Sequence, residues 1–196
     1  MGYYMLTLYV LRHGETEWNV VNRIQGSKDA PLTEQGKDDI KNIAPKIADL
    51  TLQSVYVSPS LRTQNTVKLL RLSAPFQLDE RIREMYLGPF EGLTWEEIKR
   101  KDSEAYEAYW YHPQKFQHPS TESFVDVQRR VESFLQHIEK NYQSGNILVI
   151  THGVIIKIMQ LLLEEKSLIH LWDTPHVKGG TLLRFTMDRN RNKQIK

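Results

Sequence analysis

The sequence predicts an α/β fold, a three-layer α/β/α sandwich built around a mostly parallel sheet and contained in one domain. Three observations point there. Short runs rich in β-formers alternate with longer stretches of helical periodicity, the pattern of strand–helix–strand units. The strand-like runs are apolar almost throughout rather than alternating, as strands covered on both faces should be. The chain of 196 residues, 40% hydrophobic and 26% charged, is long enough to bury a full core and shows no internal repeat.

Each element has its own signal. Leu6 to Leu11 reads as a buried strand. In "PLTEQGKDDIKNIAPKIADL" (31–50), Ile40, Ile43, Ile47 and Leu50 share one helical face and Thr33 is placed to cap it. Pro45 removes a backbone donor there and predicts a kink. "SVYVS" (54–58) is a second strand, "LRTQNTVKLL" (61–70) a second helix, and "FQL" (76–78) a short strand. Thr94 and Glu97 form a capping box that starts another helix. Phe124, Val127, Val131, Leu135 and Ile138 mark a long amphipathic helix. "NILVIT" (146–151) is a strong strand, "GVIIKIMQLLL" (153–163) its helix, and "TLLRFTM" (181–187) the last strand.

Composition excludes several function classes. The formal charge is +2, but the tail "DRNRNKQIK" (188–196) holds four cations and one anion, which leaves the body near −1. A near-neutral body argues against a nucleic-acid partner, and the basic tail reads as a solvated end. With no cysteine there is no disulfide, thiolate nucleophile or sulfur metal site, which fits a cytoplasmic protein. The apolar stretch near the N-terminus is too short for a signal-peptide core. The longest apolar run, Val154 to Leu163, is interrupted by Lys157 and Gln160, so no membrane span is expected. Oligomeric state is open.

The polar residues fall at informative places. Ligands of open α/β sheets bind beyond the carboxyl ends of the strands. The first strand runs into Arg12, His13 and Gly14; the second, through "SPSLR", delivers Arg62 to the start of a helix; the 146–151 strand ends in His152 and Gly153. Two arginines and two histidines therefore meet at one sheet edge, beside helix N-termini whose amides favour anions. Gly14 and Gly153 would let a ligand approach the backbone closely. The pattern describes a pocket for a compact, highly charged anion, phosphate above all, since arginine forks match its oxygens.

Four blocks, "LRHGETEWN" (11–19), "SPSLRTQNT" (58–66), "REMYLGPFEG" (83–92) and "THG" (151–153), resemble, in order, the signatures of the histidine phosphatase superfamily with its phosphoglycerate mutase-like fold. The likeness covers residues 6 to about 185 and is closest to the short, broad-specificity PhoE branch, which "HLWDTPH" (170–176) also resembles. It implies a metal- and cofactor-independent phosphomonoesterase acting on small organic phosphate esters. His13 would be the nucleophile that becomes phosphohistidine, kept neutral by the positive neighbours Arg12, Arg62 and His152. Arg12 and Arg62 would clamp the phosphoryl oxygens, and His152 would donate to the same oxygens. Glu84 would protonate the leaving group and then activate water. Thr16, Asn19, Gln25, Gly26 and Gly153 are carried over as phosphate or pocket contacts. Glu15 and Glu17 read as structural, and His112, His118, His137, His170 and His176 have no metal-ligand spacing and receive no role.

Two alternatives stay open beside this reading. One is a phosphoglycerate mutase, although family mutases carry an insertion and extra basic residues that this chain lacks. The other is a phospho-ligand-binding or signalling protein on the same fold. The segment Tyr86 to Phe116 (within a helical, lid-like region of about 85–120) holds eight of the nineteen aromatic residues, either as a lid over substrate or as ordinary core. "TES" (121–123) stands where the family often has Gly-Glu-Ser, which leaves the role of Glu122 open.

Overall fold

The computed structural model describes residues 5–187; the basic tail lies outside the described residues. Five strands form one sheet: β1 (Leu6–Arg12), β2 (Leu52–Val57), β3 (Gln77–Leu78), β4 (Gly145–Thr151) and β5 (Leu182–Met187), in the order β3-β2-β4-β1-β5. All neighbours are parallel except β5, which runs antiparallel to β1 along the edge. Helices α1 (Glu17–Val20), α2 (Glu34–Ala48), α3 (Leu61–Leu70), α4 (Trp95–Lys101), α5 (Ser103–Tyr111), α6 (Phe124–Asn141) and α7 (Gly153–Leu163) connect and cover them.

The three layers follow from the period-2 geometry of the strands. Leu8, Val10, Ile147 and Val149 point to the face covered by α6 and α7. Leu11, Val55, Val57, Leu148 and Ile150 point to the other, where Ile40 and Ile47 of α2 and Val67 and Leu70 of α3 cover them. Both faces are dry, which is why the strands read as continuous apolar runs. Helix starts are set by the expected caps: Thr33 accepts from the Gly36 amide, and Thr94 and Glu97 form the reciprocal box on α4. α2 continues through Pro45 to Ala48, since a missing donor three residues from the end removes only one bond. Among the described residues no helix is long and apolar enough to cross a membrane.

Register then builds the site. β1 and β4 are paired so that Arg12 lies level with Thr151, and the His13 amide donates to the Thr151 carbonyl at 3.0 Å. Two histidines separated by 139 positions in sequence thereby become neighbours, their ring centroids 5.3 Å apart. Beside them the Ser58 amide donates to Ile150 at 3.0 Å, so the ends of β2, β4 and β1 stand in one row.

Candidate active site

A cavity of about 550 Å³ opens beyond that row, lined by Arg12, His13, Arg62 and Glu84 together with Asn19, Gln25, Gly26 and Gly153. The His13 ring is fixed by a 2.8 Å hydrogen bond from Nδ1 to the carbonyl of Gly14. A carbonyl only accepts, so Nδ1 carries the proton and Nε2 keeps its lone pair, the tautomer a nucleophile requires. Burial first, and then the charges of Arg62 and Arg12, hold the His13 pKa well below the ordinary histidine range. His13 is neutral at neutral pH.

Around it stand donors without partners among the described residues. Arg62 is 1% exposed, and donates from Nη1 to the Lys28 carbonyl (2.8 Å) and Asp29 Oδ1 (2.7 Å) and from Nη2 to the Gly26 carbonyl (2.9 Å), leaving Nε unengaged. Arg12 donates from Nη1 to the Val177 carbonyl, and its buried Nε has no partner. His152 lies fully buried just behind the cavity wall; Ser58 Oγ lies 2.6 Å from its Nε2, and its Nδ1 is unpartnered. A serine hydroxyl donating to Nε2 would make Nδ1 a donor. Buried polar atoms are rarely left alone, so three such nitrogens clustered about one imidazole define a socket for an anion.

Glu84 faces the socket from the loop after β3. Its Oε1 accepts from the Met85 amide at 2.9 Å and its Oε2 from the Val154 amide at 3.5 Å. Burial raises its pKa above the ordinary carboxylate value, against the lowering effects of the Met85 hydrogen bond and of Arg62 and Arg12. Neither nearby arginine is its ion-pair partner: Arg81 pairs with Asp79 and Arg83 with Glu122. A surface salt-bridge role for Glu84 is thereby excluded. Glu122 also receives Arg130 Nε at 3.0 Å and the Tyr86 amide at 2.9 Å, while Arg130 donates to the carbonyls of Arg81 and Arg83. This knot holds the Glu84 loop, which gives Glu122 its role, and Ser123 still caps α6 although Thr121 replaces the expected glycine.

Residues 8–196 match the histidine phosphatase superfamily (branch 1). The chain belongs to that family. Phosphoserine phosphatase 1 of Hydrogenobacter thermophilus is 31% identical over 170 residues, 86% of this chain and 81% of that protein. A relative named "Probable phosphoglycerate mutase GpmB" from Escherichia fergusonii is 27% identical over 154 residues, 78% of this chain and 72% of its own. The solved structure of Bacillus stearothermophilus YhfR superposes with a TM-score of 0.87 at 35% identity, covering 94% of this chain and 92% of that one.

Within this histidine phosphatase the expected contacts separate. Thr16 does not line the cavity; it is fully buried, caps α1, and donates its hydroxyl to Asn19 Oδ1 while receiving Gln25 Nε2 at 2.8 Å. Its place is behind Asn19 and Gln25, orienting both. Gly14 also differs from expectation: a Cβ there would meet the Gly36 carbonyl at 2.9 Å, so its smallness serves packing of the loop on α2 rather than approach of a ligand. Gly26 does need to be glycine, because φ is +53° and a Cβ would fall 2.1 Å from Glu91 Oε1.

The aromatic segment divides between the two readings. Phe90 and Phe116 belong to the core, whereas Tyr109, in the core, and Trp95 and Trp110, packed against it, also line the cavity. Burial, helped by the charge of Glu84, pushes the Tyr109 phenol well above its usual range, so it stays neutral. Sequence reasoning missed Asp29, Ser58, Glu91 and His176. His176, which has no metal-ligand spacing, lines the cavity with Nε2 3.4 Å from Arg12 Nη1. Ser58 was within reach: a serine closing an apolar strand at the sheet's carboxyl edge is the same signal that exposed His13 and His152.

Proposed function

We propose that this histidine-family phosphatase hydrolyses small organic phosphate monoesters through a covalent phosphohistidine on His13. The observation that carries the reading is the socket: a neutral imidazole with a fixed, free Nε2, encircled by unpartnered buried nitrogens of Arg12, Arg62 and His152. His13 Nε2 attacks phosphorus as the P–O bond to the leaving group breaks. Arg12 and Arg62 meet the charge on the equatorial oxygens, with His152 Nδ1 donating from behind. Glu84, whose raised pKa favours the protonated form, gives its proton to the departing alkoxide. As a carboxylate it then takes a proton from water, which attacks the phosphohistidine and releases phosphate and free His13. Asn19, held through Oδ1 by Thr16, lines the cavity, and Gln25, Gly26 and Gly153 complete the wall.

Charge neutralisation in this scheme comes from side chains, so no metal is assigned; among the described residues no group of three or more His, Asp or Glu is placed to hold one. The mutase alternative calls for further free cations to hold a second anionic group. Of the extra cations at the wall, Arg23 is engaged by the Gly92 carbonyl and Glu97 and Lys157 by neutral oxygens, which leaves the exposed Lys178 as the remaining one. Two of the three are thus committed elsewhere, which supports hydrolysis over a second anion site. The aromatic wall supports a broad range of organic leaving groups, as in the PhoE branch, and the cysteine-free composition supports a cytoplasmic location.

The test is to trap acid-labile phosphate on the protein during turnover of a metabolite panel, with phosphoglycerate isomerisation measured alongside and EDTA present. Hydrolysis and labelling should survive EDTA and both vanish in His13→Ala. Near wild-type turnover by that variant would remove His13 from the chemistry, and loss on chelation with rescue by a divalent ion would end the metal-free reading.

A further inference from the structure

Lys157 is an anomaly in α7. The helix reads Gly153-Val-Ile-Ile-Lys-Ile-Met, and every residue from Ile155 to Met159 is buried, Lys157 included at 7% exposed. Burial lowers its pKa, which is the sign of a desolvation cost that an isoleucine or leucine at the same place would not carry. Its ammonium is held by Thr174 O at 2.6 Å, Thr174 Oγ1 at 2.7 Å and Pro175 O at 3.2 Å, so its three donors all go to one short stretch of the segment leading to β5. The ammonium also lies 5.7 Å from the ring centre of Trp172, which in turn donates to the Tyr109 carbonyl of α5 at 2.8 Å.

The next two residues of that segment are the ones that hold Arg12. Arg12 Nη1 donates to the Val177 carbonyl and lies 3.4 Å from His176 Nε2. On its other side the guanidinium lies over the start of the same helix, where a Cβ added to Gly153 would be 3.6 Å from Arg12 Cζ. Arg12 is therefore gripped between the first turn of α7 and a segment that Lys157, one turn further along α7, ties back to that helix. With Nη1 engaged on the segment, the buried Nε is left for the anion, and the position of residues 174–177 decides where it points.

We propose that Lys157 is a positioning residue for the phosphate clamp: by fixing residues 174–175 to α7 it sets the carbonyl and ring that orient the Arg12 guanidinium. The proposal rests on the phosphatase reading of the socket. A purely structural lysine would change stability without changing how tightly a folded molecule holds an oxyanion. A positioning lysine acts through Arg12 and loses its effect once Arg12 is gone.

The experiment measures orthovanadate binding by calorimetry and kcat and KM for p-nitrophenyl phosphate in wild type, Lys157→Met, Lys157→Arg, Arg12→Ala and the Lys157→Met/Arg12→Ala double variant, with thermal melts of each. Lys157→Met should weaken vanadate binding roughly tenfold or more and lower kcat more than it raises KM. Lys157→Arg, which can still donate to the same oxygens, should recover most of the loss. In the Arg12→Ala background Lys157→Met should change vanadate binding less than about threefold. Vanadate affinity within twofold of wild type in Lys157→Met, or losses that add fully with Arg12→Ala, would overturn the proposal. If Lys157→Met does not fold, Thr174→Val, which removes one acceptor, should show a smaller loss with the same dependence on Arg12, and full additivity there overturns it equally. A wild type that binds no vanadate would instead strike the phosphatase reading itself.

Discussion

The proton-donor role of Glu84 can be isolated by changing the leaving group. Glu84→Gln is close to isosteric: the amide oxygen can keep the 2.9 Å bond from Met85, and the amide NH2 falls at the long, 3.5 Å end facing Val154. Losing that weak contact and placing two donors opposite each other costs about 1 kcal/mol, and this applies whichever ester is bound. What the substitution removes selectively is the proton. An alkyl alkoxide needs that proton as the P–O bond breaks, whereas p-nitrophenolate is stable near neutral pH and needs little help. General-acid catalysis contributes roughly 10²–10⁴-fold, or about 2.7–5.4 kcal/mol at about 1.36 kcal/mol per decade. Phosphorylation of His13 by an alkyl phosphate should slow by that factor, and by p-nitrophenyl phosphate far less. The assay is the pre-steady-state burst, because hydrolysis of the shared phosphohistidine also uses Glu84 and masks the difference at steady state. Equal losses for both esters in the burst would refute the general-acid assignment and leave Glu84 as an electrostatic part of the wall.

Arg12→Ala and Arg62→Ala should each cost about 3–4 kcal/mol of transition-state stabilisation, and the double variant much less than the sum, since both grip one phosphoryl group; full additivity in kcat/KM would mean separate sites. The pH profile of kcat/KM should have its acid limb, set by His13, below the histidine range and its alkaline limb, set by Glu84, above the carboxylate range. Arg62 lowers both pKa values, by repelling a proton from His13 and by stabilising the Glu84 carboxylate, so Arg62→Met should move both limbs to higher pH; limbs that stay or move apart contradict this. Stability should fall as pH drops below 6.5, because buried His13 and His152 have lowered pKa values and only the unfolded chain takes up their protons. Two protons give at most about 2.7 kcal/mol per pH unit, and Glu84, whose raised pKa makes the folded state bind a proton first, offsets one of them. In denaturant titrations His13→Asn should remove one proton from the slope, and an unchanged slope would show that His13 is not buried neutral.

Local sequence determined the elements and the chemistry at their ends. The alternation of apolar runs and periodic helices, the caps Thr33 and Thr94, and the placement of Arg12, His13, Arg62 and His152 were legible because strand pleating, capping and strand-end polarity act over a few residues, whereas Glu84 stood out only through the family resemblance. Register was not: the pairing of Arg12 with Thr151 that brings the two histidines together depends on strands far apart in the chain. Nor could sequence tell which glycine faces ligand and which faces helix, as Gly14 against Gly36 shows, or that Thr16 stands behind the wall. Burial decided the direction of both shifts, since a histidine or glutamate has the same intrinsic pKa anywhere in the chain: burial and the flanking arginines together lower the His13 pKa, whereas burial raises that of Glu84 against the same two charges. The grip on Arg12 is likewise tertiary: its holders, Gly153, Val177 and the Lys157 strap, come from a helix and a loop more than 140 positions away, and only packing onto the sheet makes them one structure.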